Sequence, residues 1–536
     1  MQNANRVTWM AWCYAVTIFV SAFLVFQVQP IISKTILPWF GGSPAVWTTC
    51  MLFFQVVLFA GYVYAHLLTR LPTSIQGSLH LLLVMVSLWV LPLCPDTSWK
   101  PSSAQDPTVR ILGLLLLNVG LPYFLLSATG PLIQAWFSRS CKGRSPYRLY
   151  ALSNVGSLAA LLTYPFLLEP VLTTNQQGRA WSVGFCVFVL FCGCCVMNVW
   201  RLRSASEAFS DGRHPEPVGN LASRDLQATS GMVPVWSQRA IWLGLPCLAS
   251  IMLLATTNHV CQDVAVIPFL WVLPLSLYLL SFILTFDSDR WYSRRVCGWL
   301  VLLIIATSSV FSMIGYLPHV LAEIALSFGS LLLVCMICHG ELVARKPCPR
   351  YLTQFYLMCS AGGALGGVIV AIVCPWLFSN YFEMNLMLLA GYVLGVSVLF
   401  VEQTTSFAPS RLPRWALGLA GFLGLLVVVH AQLEALPVGQ LASTRNFYGV
   451  LSVLEHETSD PTERGRALVH GRIMHGFQYL QSPLDRQATK YYADHTGIGL
   501  TLRHFPREDS LRVGVVGLGV GTLAAYGEPG DYYRLY

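Results

Sequence analysis

Apolar residues in this chain fall in long uninterrupted runs, not in the short alternating or 3.6-residue patterns of a water-soluble fold. A helix needs about twenty apolar residues to cross the hydrocarbon core of a bilayer. Thirteen runs approach that length, near residues 9–29, 45–68, 77–94, 111–136, 148–169, 179–200, 240–258, 264–286, 297–316, 318–338, 352–378, 384–402 and 415–435. The third is short, and Gly120-Leu121-Pro122 is placed to break the fourth. The first run is too long for a cleaved signal peptide. It has one Arg before it and no Ala-x-Ala-like site, so it reads as a span. The pattern predicts a polytopic α-helical membrane protein of about 12–13 spans.

One polar stretch interrupts the series. Residues 202–238 carry Asp211-Gly212-Arg213-His214-Pro215-Glu216-Pro217 among Ser, Gly and Asn, and read as a linker. The expected organisation is a first six-span half (1–201), the linker (202–238), a second six-span half (239–402), an extra span (403–436) and a soluble segment (437–536). Lys and Arg crowd the connections after even-numbered spans, among them Arg139, Lys142 and Arg144, then Arg290, Arg294 and Arg295, then Arg345, Lys346 and Arg350. Connections after odd-numbered spans hold only Lys34, Lys100, Arg110 and Arg179. That bias predicts a cytoplasmic N-terminus.

Composition agrees. Hydrophobic residues make up 55% and charged residues 11%, which excludes a disordered chain or a wholly soluble enzyme. The net charge of +8 is explained by the basic connections, and no basic block with interleaved aromatics points to nucleic acid. The lipid bilayer is the partner that composition implies. Most of the sixteen cysteines sit inside apolar runs, where thiols pack as small hydrophobes. Cys335-Met336-Ile337-Cys338-His339 fits a haem-attachment spacing, but at the end of a hydrophobic run it reads as packing. No Cys/His set has zinc spacing, and no metal site is expected.

The two halves contain matched segments. Pro44-Ala45-Val46-Trp47 opens the second span, and Pro268-Phe269-Leu270-Trp271 lies 224 residues later in the eighth. Leu149-Tyr150-Ala151-Leu152-Ser153-Asn154 opens the fifth span, and Phe355-Tyr356-Leu357-Met358-Cys359-Ser360 opens the eleventh, 206 residues later. Both pairs fall at the same ordinal position in each half, as parallel six-span repeats of a major-facilitator-like transporter would place them. Ala361-Gly362-Gly363-Ala364 and Gly156-Ser157 are small-residue stretches suited to close helix contact.

Ionisable residues inside spans are costly, so each is a candidate for function. His319 and Glu323 are four apart at the start of the tenth span and share a helix face, fit either for proton relay and cation binding or for an interfacial pair. Asn258-His259 and Gln262-Asp263 end the seventh span. Gln27 and Gln29 occupy the matching end of the first. Two such polar ends frame a substrate entrance or are ordinary interface residues.

After residue 440 the pattern becomes that of a soluble domain. Residues 445–453 and 466–476 read as strands, the second broken by glycines, and 491–503 as an amphipathic helix. Leu511–Val516 then reads as a buried strand running into Gly517-Leu518-Gly519-Val520-Gly521, followed by a helix start. Strand, glycine-rich turn and helix open a nucleotide-binding α/β fold.

On these residues the segment 443–536 resembles the start of a spermidine synthase, a polyamine aminopropyltransferase. The whole chain resembles bacterial proteins in which a major-facilitator-like membrane half is fused to such a domain. Gln29-Pro30, the run Leu37-Pro38-Trp39-Phe40-Gly41-Gly42-Ser43-Pro44, and Tyr150 through Ser157 carry the membrane part of the likeness. The resemblance implies a methyltransferase-like sheet preceded by a small β-domain, and location in a bacterial inner membrane. It implies a nucleoside loop at Gly517, Gly519 and Gly521, with Gln478 and Tyr492 near the substrate, and decarboxylated S-adenosylmethionine or a related nucleoside as ligand. It departs at Val469-His470-Gly471 and Tyr491-Tyr492-Ala493, where the family carries acidic residues that would pair with a diamine. The chain ends at Tyr533-Arg534-Leu535-Tyr536, before the family's ribose-binding acid and catalytic Asp, so the expected α/β domain is incomplete and inactive. The favoured expectation is a transporter-like membrane protein with a link to polyamine handling, its solute small and cationic. The alternatives are a membrane-tethered aminopropyltransferase or methyltransferase-like enzyme, and a non-catalytic scaffold or sensor.

Overall fold

The computed structural model describes residues 2–101, 106–140, 147–210, 234–263, 268–314, 320–347, 351–405, 414–434, 439–456, 458, 460–471, 473–506 and 510–536. They form two compact units. One comprises Met1–Cys374 and Phe382–Gln432, the other Pro375–Tyr381 and Leu433–Tyr536.

Among the described residues, twelve helices are long and apolar enough to cross a membrane. Spans 1–6 are Trp9–Phe40, Pro44–Leu68, Thr73–Val90, Thr108–Ser138, Leu149–Val171 and Thr174–Trp200. Spans 7–12 are Trp236–Cys261, Leu270–Asp287, Arg294–Phe311, Leu321–Ala344, Leu352–Leu377 and Phe382–Glu402. The thirteenth expected run forms the helix Arg414–Glu434, whose apolar segment, Leu419–Ala431, is too short to rank with the twelve.

Proline shapes several spans without ending them. Pro30 lies inside a helix that runs on to Ile36, so span 1 is longer than its apolar run suggested, and Gln27 and Gln29 lie within it, not at its end. The expected break in span 4 is instead a π-helical turn, Leu116–Gly120. Similar turns occur in span 5 (Tyr164–Leu168) and span 11 (Ile369–Val373). Each ends two residues before a proline: Pro122, Pro170 and Pro375. The missing N–H and the ring's clash with the preceding turn are relieved by one widened turn, so the helix continues.

Neighbour relations recur six spans apart. Span 1 packs on spans 4, 5 and 6, and span 7 on spans 10, 11 and 12. Span 2 packs on span 4 as span 8 does on span 10, and span 3 on span 6 as span 9 does on span 12. Across the middle, span 2 meets span 11 and span 5 meets span 8. Two close backbone approaches repeat as well. A Cβ on Gly156 would stand 2.8 Å from the Phe19 carbonyl oxygen, and one on Gly362 would stand 2.2 Å from that of Leu243. Phe19 and Leu243 are 224 residues apart, and Gly156 and Gly362 are 206 apart, the same offsets as the sequence matches. Only glycine permits such contacts.

The second unit contains an antiparallel four-stranded meander, β1 (Gln440–Asn446), β2 (Gly449–His456), β3 (Gly465–His470) and β4 (Ile473–Tyr479), in that spatial order. Thr444 faces Leu451, Val453 faces Leu468 and Ala467 faces Phe477. Both expected strands are therefore hairpins. In the first, Asn446 Oδ1 accepts from the Tyr448 N–H at 2.9 Å and Gly449 takes φ 138°. In the second, Gly471 turns with φ 60°. Ser443 Oγ and Arg445 Nη1 donate to the carbonyls of Ser379 and Asn380, each at 3.0 Å, tying β1 to the 375–381 segment of the same unit. The helix expected over 491–503 is shorter, Gly497–His504, because Thr496 caps it: its Oγ1 accepts from the Gly499 N–H. β5 (Arg512–Val515) and β6 (Tyr532–Leu535) pair in parallel, and the turn between them leads into a short 3₁₀ helix, Thr522–Tyr526, in place of the expected α-helix start.

Candidate functional site: a neutral cavity between two sets of spans

A cavity of about 170 Å³ lies inside the first unit. Spans 1, 2, 4 and 5 contribute one side and spans 7, 8 and 11 the other. Its polar lining consists of amides, hydroxyls and one thiol: Gln29, Gln55, Asn154, Ser127, Ser360, Cys359 and the phenols of Tyr62, Tyr123, Tyr150, Tyr278 and Tyr356 among them. Among the described residues, no Asp, Glu, Lys, Arg or His lines it.

Helix packing positions these groups. Gln29 is 3% exposed and its Nε2 donates to the Tyr123 hydroxyl at 3.2 Å. Gln55 Nε2 donates across the middle to Ser250 Oγ at 3.0 Å, which in turn donates to the Gly363 carbonyl at 3.0 Å. Thr48 Oγ1 donates to Asn258 Oδ1 at 2.6 Å, also between spans 2 and 7. Gln29 Oε1, Gln55 Oε1 and Ser360 Oγ are buried without a protein hydrogen-bond partner, and the Asn154 amide faces the Tyr150 hydroxyl. Buried polar atoms are normally paired, so three orphans around one cavity mark groups available to a ligand.

Two aromatic stacks flank the cavity. Trp47 and Trp271 stack with centroids 5.0 Å apart and planes 19° apart. Tyr150 and Tyr356 stack at 4.9 Å and 15°. Each pair joins the two residues matched in the sequence repeat. Successive spans run in opposite directions, so the start of span 2 and the start of span 5 lie at opposite ends of the bundle. Tyr150 and Tyr356 line the cavity themselves, and the Trp pair lies one helical turn beyond Met51, which also lines it.

The charged candidates lie elsewhere. Glu323 is paired with His259 of span 7, Nε2 to Oε1 3.4 Å, which joins two groups that sequence reading kept apart. His319 lies outside the described residues. Asp263 is the last residue of the helix Trp236–Asp263. At the ends of spans 9, 10 and 12 a network unmarked by sequence reasoning centres on Glu341. Arg294 bonds both of its carboxylate oxygens, Nε at 2.6 Å and Nη2 at 3.2 Å. Arg345 also contacts it, and Tyr292 donates to Oε1 at 2.8 Å. Arg295 Nε reaches Glu402 at 3.3 Å. Burial and the Glu341 carboxylate push the Tyr292 phenol far up, so it stays a proton donor. The signal for this network was the density of Arg at the connection before span 9. Lys34 pairs with Glu169 at 2.5 Å, joining spans 1 and 5. Cys335, Cys338 and His339 are fully buried, and the His339 ring stacks on Phe282 at 3.5 Å, an environment with no room for an attached haem. Among the described residues no cluster of His, Cys, Asp and Glu is fit for a metal ion.

In the second unit the glycine-rich turn is built as glycine requires: Gly517, Gly519 and Gly521 take φ 87°, 56° and 72°. It packs on β4, where a Cβ on Gly476 would strike Val520. Gln478, two residues along the same strand, is exposed, and its Nε2 lies 3.5 Å from the Asp485 carbonyl. The Tyr492 carbonyl accepts from the Tyr526 hydroxyl at 2.5 Å. The glycine turn, β4 and the 490–492 segment are thus neighbours, through Val520, Gly476 and a bond from Tyr491 OH to the His475 carbonyl at 3.1 Å.

No family model matches this chain, and no curated protein does. Among solved structures, a peptide transporter POT in complex with alafosfalin is similar over 73% of this chain and 94% of its own. It is 15% identical, with a TM-score of 0.44. The inward-open xylose transporter XylE from E. coli is similar over 77% and 99%, 11% identical, with a TM-score of 0.42. Likenesses of this size decide nothing about function.

Proposed function

We propose that the membrane unit is a transporter that moves a small solute by alternating access, its two six-span sets rocking about the central cavity. The carrying observation is the cavity itself, lying between the sets and flanked at opposite ends by two aromatic stacks, each made of repeat-matched residues. Residues matched in two repeats meet each other only on an axis relating those repeats. Stacks on that axis are where a symmetric bundle opens at one end while closing at the other. The basic-connection bias supports a cytoplasmic start for span 1. A thiol probe tests the reading. In a chain with its native cysteines replaced, Ser127→Cys and Ser360→Cys are exposed to a membrane-impermeant reagent from one side or the other. Labelling from both sides is expected. Labelling from a single side overturns transport and favours a receptor.

A second reading concerns the C-terminal unit alone, as the opening of an aminopropyltransferase-like domain that binds a nucleoside. Three left-handed glycines following a strand, beside β4 and the 490–492 segment, support it. Calorimetry of the full chain with methylthioadenosine tests it: binding lost in Gly519→Val supports it, and no heat of binding removes it. A polyamine link rests on this unit's resemblance only, since among the described residues no carboxylate lines the membrane cavity.

A further inference from the structure

We infer that the cavity takes an uncharged, amphipathic solute, held with its hydrogen-bonding end against the carboxamides of the first six spans and its apolar end against Leu253 and Leu279 of the last six. The inference rests on the transporter reading for its purpose but not for its chemistry.

The first argument is charge. A lone ion buried without a counter-charge costs several kcal/mol, so sites for ions carry a partner charge or a dense dipole cage. Three carboxylates of the spans are paired elsewhere: Glu323 with His259, Glu341 with Arg294 and Arg345, Glu169 with Lys34. None of these lines the cavity. Here neither an ammonium nor a carboxylate would find an opposite charge.

The second argument is asymmetry. All three carboxamides of the lining, Gln29, Gln55 and Asn154, come from the first six spans. The residues 224 positions after Gln29 and Gln55 are Leu253 and Leu279, and both line the cavity too. The repeat therefore presents an amide on one wall and a leucine at the matching place on the other. Gln29 Oε1 offers an acceptor without a protein partner and Asn154 a donor beside the Tyr150 hydroxyl, so the ligand end they face carries both a donor and an acceptor, as a primary amide or a hydroxyl does.

Equilibrium dialysis of the purified full chain tests this with three probes of equal chain length: hexanamide, hexanoate and hexylammonium. Hexanamide is expected to bind, and about tenfold more weakly to Gln29→Leu or Asn154→Leu, the loss of one neutral hydrogen bond. The two ions are expected to bind far more weakly than hexanamide. Gln29→Glu separates chemistry from misfolding, because it is expected to gain hexylammonium binding while losing hexanamide. Either ion binding the native chain as well as hexanamide overturns the inference, as does hexanamide that fails to bind or that ignores both leucine variants. Hexanamide binding without counterflow in proteoliposomes would sink the transporter reading while supporting the chemistry of the site.

Discussion

Spans 1–6 and spans 7–12 share a packing scheme but not a chemistry. In the first set, buried amides face the cavity, and the one interspan ion pair noted, Lys34–Glu169, is part-exposed. In the second set, the positions matching Gln29 and Gln55 carry leucine and the one matching Asn154 carries serine, and charge is concentrated away from the cavity around Glu341, whose side chain is 7% exposed. The difference separates two demands on one architecture. Helix contacts are set by small residues and aromatic stacks at repeated positions, while solute recognition and the locking of helix ends use positions free to diverge.

Substitutions break or sharpen that contrast. The largest effect is expected at Glu341→Gln, which leaves Arg294 and Arg345 without their shared carboxylate. A loss of about 3 kcal/mol or more is expected in thermal unfolding in detergent, whereas Gln29→Leu in the first set is expected to leave stability nearly unchanged. Next is Trp271→Ala, with a loss of about 3 kcal/mol from cavity formation. Trp47→Ala should match it, and the double variant should show a coupling of about 1 kcal/mol between the rings. Unequal losses would mean that the stack is not a shared axis element. Third, Gly362→Ala should destabilise by about 1–3 kcal/mol and by more than Gly156→Ala, because its added Cβ meets a carbonyl oxygen at the shorter distance. Lys34→Met is expected to cost less than about 1 kcal/mol, its pair being part-exposed.

The smallest effect belongs to the C-terminal unit and appears only in alkali. Burial, reinforced by the nearby Asp494, raises the Tyr526 phenol above its ordinary value. The folded form then holds its proton longer than the unfolded one. The contribution is complete below the ordinary tyrosine value of about 10 and is lost as pH rises through the raised one. Tyr526→Phe should flatten that alkaline loss in unfolding followed by near-ultraviolet dichroism.

Much of this architecture was legible in the sequence. Long apolar runs located the twelve spans, and two short matches located the repeat, because residues stacked on a partner from the other half retain their identity in both copies. Span ends were less legible. Pro30 and Pro122 read as boundaries, yet one lies inside a continuing helix and the other follows a widened turn, since neighbouring helices can hold a span together across a missing N–H. That misplacement put Gln29 at a helix end when it lies at the cavity. The Glu341 network was illegible for another reason: its partners come from three spans and a connection, and nothing local in sequence joins them. In the C-terminal segment 445–453 reads as one strand and 466–476 as one broken by glycines, where Gly449 and Gly471 lie at the turns of two hairpins.

Transport by this bundle requires the two sets of spans to move against each other about the cavity. Spin-labelled side chains at Trp12 and Trp236, exposed residues near the starts of spans 1 and 7, report one end of the bundle. Labels at Leu167 and Ile372, exposed in the widened turns of spans 5 and 11, report the opposite end. Measured pairwise by pulsed electron resonance in proteoliposomes, with and without hexanamide, both distances should show two populations, the short population of one pair rising as that of the other falls. Single, invariant distances at both ends would contradict the account.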